Sequence, residues 1–90
     1  MIPDLAVEVV SPHDLFEDLL GKMREYFQYG VKQVWIVSPA SQQIHVYESP
    51  TRLRIVTAAE ELDASAILPG FRLPVAWLFQ PQTQATPASS

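Results

Sequence analysis

Two short apolar runs separated by one amphipathic helix constrain this chain more than any other feature. The first run, Leu5 to Val10, is dense in Leu and Val and bounded by Pro3 and Pro12. It has apolar residues on both faces, as buried strands do, with Glu8 as the exception. The second, Val31 to Val37, ends at Ser38-Pro39. Between them, Ser11 fits an N-cap, Pro12 the first helical position and Asp14 the third. This is a capping box with Asp in place of Glu or Gln. Leu15, Phe16, Leu19, Leu20, Met23, Tyr26 and Phe27 then recur at helical spacing. Glu17, Asp18, Arg24, Glu25 and Gln28 face away. Gly30 is a natural stop. The pattern predicts a helix over 12–29, and a helix of that length between two apolar strands suits a right-handed crossover joining parallel partners.

The rest of the chain extends this unit. Gln43 to Glu48 alternates, with Ile44 and Val46 opposite His45 and Tyr47. Arg52 to Thr57 alternates again, and Ser49-Pro50-Thr51 supplies the turn of a hairpin. A weaker strand is expected near Leu62 to Ile67. Pro69-Gly70 is a turn, and Leu73 to Phe79 reads as a short apolar helical turn packing on the sheet. Gln80 to Ser90 is polar, small and proline-containing, the composition of a flexible tail. The predicted order is β-α-β-β-β, an α/β domain with a mixed sheet over 1–79 and a tail over 80–90.

Composition sets wide bounds. Ninety residues make one small domain, and nearly half of them are apolar (48%), ample for a core. Six basic against ten acidic residues give a net charge of −4. A compact nucleic-acid binder usually has a basic surplus, although a nuclease needs only a local positive surface. There is no cysteine, so disulfides and thiolate metal sites are excluded. No apolar run approaches the roughly 20 residues of a membrane span, so the expectation is a cytoplasmic protein with no membrane partner.

Glu8 is the most informative residue. Its side chain leaves the strand on the same side as Ala6 and Val10, where a carboxylate pays a desolvation cost unless it is paired or binds a cation. The alternative is an edge strand with Glu8 in water or paired to an arginine. Lys22 lies at the margin of the helix stripe, from where its ammonium can reach the sheet. An i,i+4 pair with Asp18 would explain it equally well. Asp4 shares a strand face with Glu8 but lies about 13 Å away, so it reads as a strand-start residue. His13 and His45 have no partner at ligand spacing, and no P-loop, dinucleotide fingerprint, nucleophile elbow or zinc motif is present.

Several segments, taken in order, carry a resemblance. They are Pro3-Asp4-Leu5-Ala6-Val7-Glu8-Val9-Val10-Ser11-Pro12, then Lys22 with Glu25-Tyr26, then Gly30-Val31 leading into Val34-Trp35-Ile36-Val37. Val46-Tyr47, Leu68-Pro69-Gly70-Phe71 and Leu78-Phe79 follow. Single words among these are weak, but the ordered set resembles the bacterial Uma-type family of restriction-endonuclease-like proteins over about the first 80 residues. The resemblance implies a PD-(D/E)XK nuclease fold, in which an Asp and a Glu hold a divalent metal, usually Mg²⁺, and a Lys positions or activates water for DNA cleavage. Glu8 matches the second acid, as metal ligand and catalytic residue. Val10 stands where the superfamily usually has Lys, and in this family that role lies on the following helix, where Lys22 stands. Ser38 replaces the family's Asp before Pro39. Family members carry a first acid on an earlier Pro-Asp strand, so this chain is expected to be the C-terminal half of a truncated domain, with Asp4 not that acid. Two functions follow: a metal-dependent DNA endonuclease completed by a partner, or a non-catalytic remnant acting as a dimerising or interaction module. A homodimer is expected in both.

Overall fold

The computed structural model of the protein describes residues 3–79. Its elements run β1 (Leu5–Val9), α1 (Phe16–Gln28), β2 (Gln33–Ser38), β3 (Gln43–Ser49), β4 (Arg52–Thr57), β5 (Glu61–Asp63), β6 (Arg72–Pro74) and α2 (Val75–Leu78). Strands β1 to β4 form one sheet in the order β1-β2-β3-β4. Strands β1 and β2 are parallel neighbours, from Leu5 opposite Gln33 to Val9 opposite Val37. The two hairpin pairings that follow are antiparallel. This is the α/β architecture with a mixed sheet that the order of apolar runs predicts. The expected tail over 80–90 lies outside the described residues.

Strand β2 explains why the sheet needs cover on both sides. Val34 and Ile36 turn to one face and join Met23 and Val31, with Leu20, Tyr26 and Phe27 of α1 packed around them. Trp35 and Val37 turn to the other face and join Ile44, Val46, Val56 and Leu62. A fully buried side chain of this kind contributes about 1.5–3 kcal/mol, so both faces of a central strand are worth covering. The only buried polar residue, among those described, is Gln33, and its Oε1 accepts a hydrogen bond from Trp35 Nε1 at 3.0 Å.

The predicted helix is shortened at its start. Ser11 N–H donates to Asp14 Oδ2 at 2.8 Å, and Asp14 N–H donates to the Ser11 carbonyl at 3.1 Å. These bonds close a separate turn instead of capping the helix. Leu15 is extended (φ −86°, ψ 136°) and the helix begins at Phe16. Leu15 and Phe16 stay 66% and 70% exposed, so nothing in the described residues rewards starting the helix earlier than Phe16. The other end follows expectation. Gly30 takes φ 100°, its N–H donates to Phe27, and the Val31 N–H donates to Tyr26. Together these form a Schellman cap that points the chain back toward the sheet.

The last third also differs from expectation. The weak strand is Glu61–Asp63 instead of Leu62 to Ile67, and the segment expected to be wholly helical opens as strand Arg72–Pro74. These two pair in a separate two-stranded sheet. Pro69-Gly70, with Gly70 at φ 79° and the Phe71 N–H donating to Leu68, forms the type II turn between them. Leu62, Ala64 and Val75 from this unit cover the β3–β4 side of the second face. No described helix is long and apolar enough to cross a membrane.

Candidate active site

Backbone pairing decides where Glu8 points. Val10 N–H donates to the Val37 carbonyl, and the Asp4 carbonyl accepts from Gln33 N–H. Even-numbered residues of β1 therefore direct their backbone polar groups at β2, and their side chains emerge toward α1, where Ala6 and Val10 pack with the Met23 cluster. Glu8 sits between them. Lys22 and Tyr26 are one turn apart on α1 and so share a face. That face meets Glu8.

Three side chains converge there. Lys22 Nζ lies 3.6 Å from Glu8 Oε1, and Tyr26 Oη donates to Glu8 Oε2 at 2.5 Å, a length typical of a hydroxyl bonded to a charged carboxylate. Glu8 is largely shielded, at 22% side-chain exposure, while the Lys22 side chain is 58% exposed. This geometry chooses between the two sequence readings of Lys22, since its ion pair is with Glu8 and not with Asp18. With its lysine this exposed, the pair contributes on the order of 1 kcal/mol. Tyr26 is pushed above the ordinary phenol range, first by its hydrogen bond to Glu8, then by burial and the charges of Glu8 and Glu25. Sequence reasoning placed Tyr26 in the apolar stripe and among the resembling segments, with no role at the site. Its position four residues after Lys22, on the face turned to a strand carboxylate, was the available signal.

The remaining candidates fall elsewhere. Asp4 faces Lys32 at 3.9 Å and takes no part in the Glu8 cluster. Val10 packs into the core beneath α1. Ser38, where the resemblance expects Asp, accepts a hydrogen bond from Ser41 Oγ at 2.7 Å within the β2–β3 turn. His13 is exposed, and His45 lines a small apolar cavity with Val10, Leu20 and Tyr47.

A divalent metal would need more than this cluster holds. Among the described residues, no three His, Cys, Asp or Glu side chains come together as a metal cluster would. Both oxygens of Glu8 are engaged by Lys22 and Tyr26. The described residues therefore do not form a metal centre by themselves. They offer one shielded carboxylate, an adjacent ammonium and a phenol that holds the carboxylate in place.

Comparison with known proteins agrees with this fold. A solved structure titled a "putative nuclease belonging to DUF820", from Anabaena variabilis, superimposes with a TM-score of 0.75 at 18% identity. The match covers 88% of this chain and 45% of that one, so the chain spans less than half the length of the relative. No curated protein matches the chain. The model of the family described as "Uma2: Putative restriction endonuclease" matches residues 2–76, and by this match across most of its length the chain belongs to the Uma2 family.

Proposed function

We propose that this chain carries the Glu8–Lys22 part of a metal-dependent DNA endonuclease site. The observation that carries the reading is the convergence of Lys22 on a shielded strand carboxylate at 3.6 Å. Two residues fourteen positions apart meet where the resemblance puts the metal-binding acid and the water-positioning lysine. Glu8 would supply one ligand to the divalent ion, Mg²⁺ by resemblance, and Lys22 would place its ammonium beside it to position or activate water. Tyr26 fixes the carboxylate's rotamer. This reading requires further acidic ligands from outside the described residues, and it expects DNA cleavage only of a site completed by them. A cytoplasmic setting and a homodimer belong to the same reading.

A second reading has its own support. One carboxylate with both oxygens engaged, and a surface with net charge −4, also describe a nuclease-fold domain kept as an interaction module. Paramagnetic Mn²⁺, titrated into the isotope-labelled 90-residue protein, separates the two. The expected result is weak binding that broadens amide signals around Glu8, with the broadening lost in a folded Glu8→Gln variant. Broadening elsewhere, or identical in the variant, would remove Glu8 as a ligand and leave the interaction reading. Plasmid cleavage by the 90-residue chain with Mg²⁺ is expected to be undetectable.

A further inference from the structure

We infer that Tyr26 and Lys22 hold the two oxygens of Glu8 on different terms, Tyr26 as the positioning residue that keeps Oε2 and Lys22 as the resident cation that a divalent ion replaces at Oε1; this rests on the metal-ligand reading of Glu8 above. That reading raises a question of access, because both oxygens are already engaged. The two contacts differ enough to decide which one opens.

Tyr26 makes a full hydrogen bond. Its Oη lies 2.5 Å from Oε2, at the short end of the about 2.5–2.7 Å found for hydroxyls on charged carboxylates. The ring behind it packs against the Met23 and Val34 cluster between α1 and the sheet. Withdrawing the hydroxyl would pull that ring off packed apolar surface. Lys22 is held by charge. Its Nζ stands 3.6 Å from Oε1, beyond the about 2.7–2.9 Å of a charge-assisted N–H···O bond. The Lys22 side chain is 58% exposed against 22% for Glu8, so its ammonium keeps much of its water. Swinging aside costs it little packing and restores rotamer freedom to a four-carbon stem.

Charge sets the direction of the exchange. At equal distance a carboxylate attracts a divalent cation twice as strongly as an ammonium. Mg²⁺ is commonly held by one or two carboxylates while it keeps several waters, a demand that one freed oxygen can meet. Lys22 then leaves the ligand oxygen without leaving the site, since its backbone stays one helical turn from Tyr26. In the unloaded chain it is the counter-ion of a shielded carboxylate; in the loaded one it stands beside bound water, where the proposed function needs it.

Mn²⁺ affinity, read from the broadening of amide signals around Glu8 in the labelled 90-residue protein, tests this division. Lys22→Met should tighten Mn²⁺ binding at Glu8 about fivefold, the worth of a partly exposed ion pair. Arg24→Met removes the same charge from an exposed position on the same helix, and should change the affinity less than about twofold because solvent screens it. Tyr26→Phe keeps the ring, and should weaken binding or leave it unchanged. A Lys22→Met chain that binds no more tightly than wild type, or no more tightly than Arg24→Met, would overturn the inference and leave Glu8 as a ligand. So would tightening by Tyr26→Phe, which would make Oε2 the oxygen the ion takes. Absence of broadening around Glu8 in every chain, Lys22→Met included, would remove the metal-ligand reading itself and the inference with it.

Discussion

Strand β4 closes one side of the main sheet with Arg52 and Arg54, and β1 closes the other with Leu5, Val7 and Val9. The β4 side carries the usual devices against unwanted pairing. It has a register shift against β3 between Tyr47 and Ser49 and charges along the strand. A guanidinium bond from Arg54 to the Asp63 carbonyl at 3.0 Å draws the edge under the β5–β6 unit. Among the described residues the β1 side shows none of these, and its one charge, Glu8, is turned toward α1 and paired with Lys22. Charges, register irregularities and covering segments are the devices by which natural sheets blunt a free edge. The uncharged side of the described sheet is also the strand that presents the candidate catalytic carboxylate.

The contrast can be broken at the centre first. Ile44 is fully buried in the strand between the two sides, and Ile44→Ala should cost about 2–5 kcal/mol. That is a large share of a small domain's stability and should appear as a lowered urea midpoint. A cost below about 1 kcal/mol would mean that the two edges do not depend on a common core. Next in size is giving β4 the character of β1. Arg52→Val with Arg54→Val removes the bond to Asp63, at about 1 kcal/mol, and should produce species larger than those of the wild-type chain in sedimentation at high concentration. Unchanged assembly would show that the arginines do not guard that edge.

Two smaller effects separate the edges by pH. Tyr26 is raised above the ordinary phenol value of 10.0, so its bond to Glu8 contributes fully below the unfolded pKa and is lost as pH rises through the higher folded value. Tyr26→Phe should cost about 1 kcal/mol near neutrality and flatten the alkaline limb of a stability–pH curve. The end of β4 behaves in the opposite sense. Glu60, which accepts from the Thr57 N–H at 2.7 Å and its hydroxyl at 3.1 Å, is lowered from 4.5 by those bonds. Its contribution is present above the unfolded value and lost as pH falls through the folded one. Glu60→Gln should flatten only the acid limb, and by the least of these changes. Alkaline and acid limbs that respond alike to both variants would erase the distinction.

Most of this fold was legible in the sequence because its elements are set by local pattern. Paired apolar runs, one stripe at helical spacing and a glycine stop specify β1, α1 and β2 almost without reference to the rest. What was missed depends on contacts far along the chain. The 12–15 segment forms a turn because Leu15 and Phe16 find nothing to bury against, which no local rule reveals. Strands β5 and β6 are three residues each and exist by pairing with one another. In the candidate site, Glu8 and Lys22 stood out because charges at the margin of apolar surface are conspicuous. Tyr26 did not, because a tyrosine on a helix stripe looks like packing until its hydroxyl is seen to have a partner.

The parallel pairing of β1 with β2 also bears on the order in which the molecule assembles. Strands β3 and β4 are joined by the two-residue turn Pro50-Thr51, and hairpins of this kind close within about 1–10 μs. Leu5 reaches Gln33 only after the whole intervening helix is in place, a longer loop whose closure costs more entropy before any contact is gained. The strand bearing Glu8 is then expected to dock after the hairpin, onto a sheet that already exists. Among the described residues it bonds to β2 alone, so like β4 it is an end strand of the main sheet and a candidate for local opening. Amide exchange through β1 would therefore report how often the cluster of Glu8, Lys22 and Tyr26 comes apart while the rest of the domain stays folded.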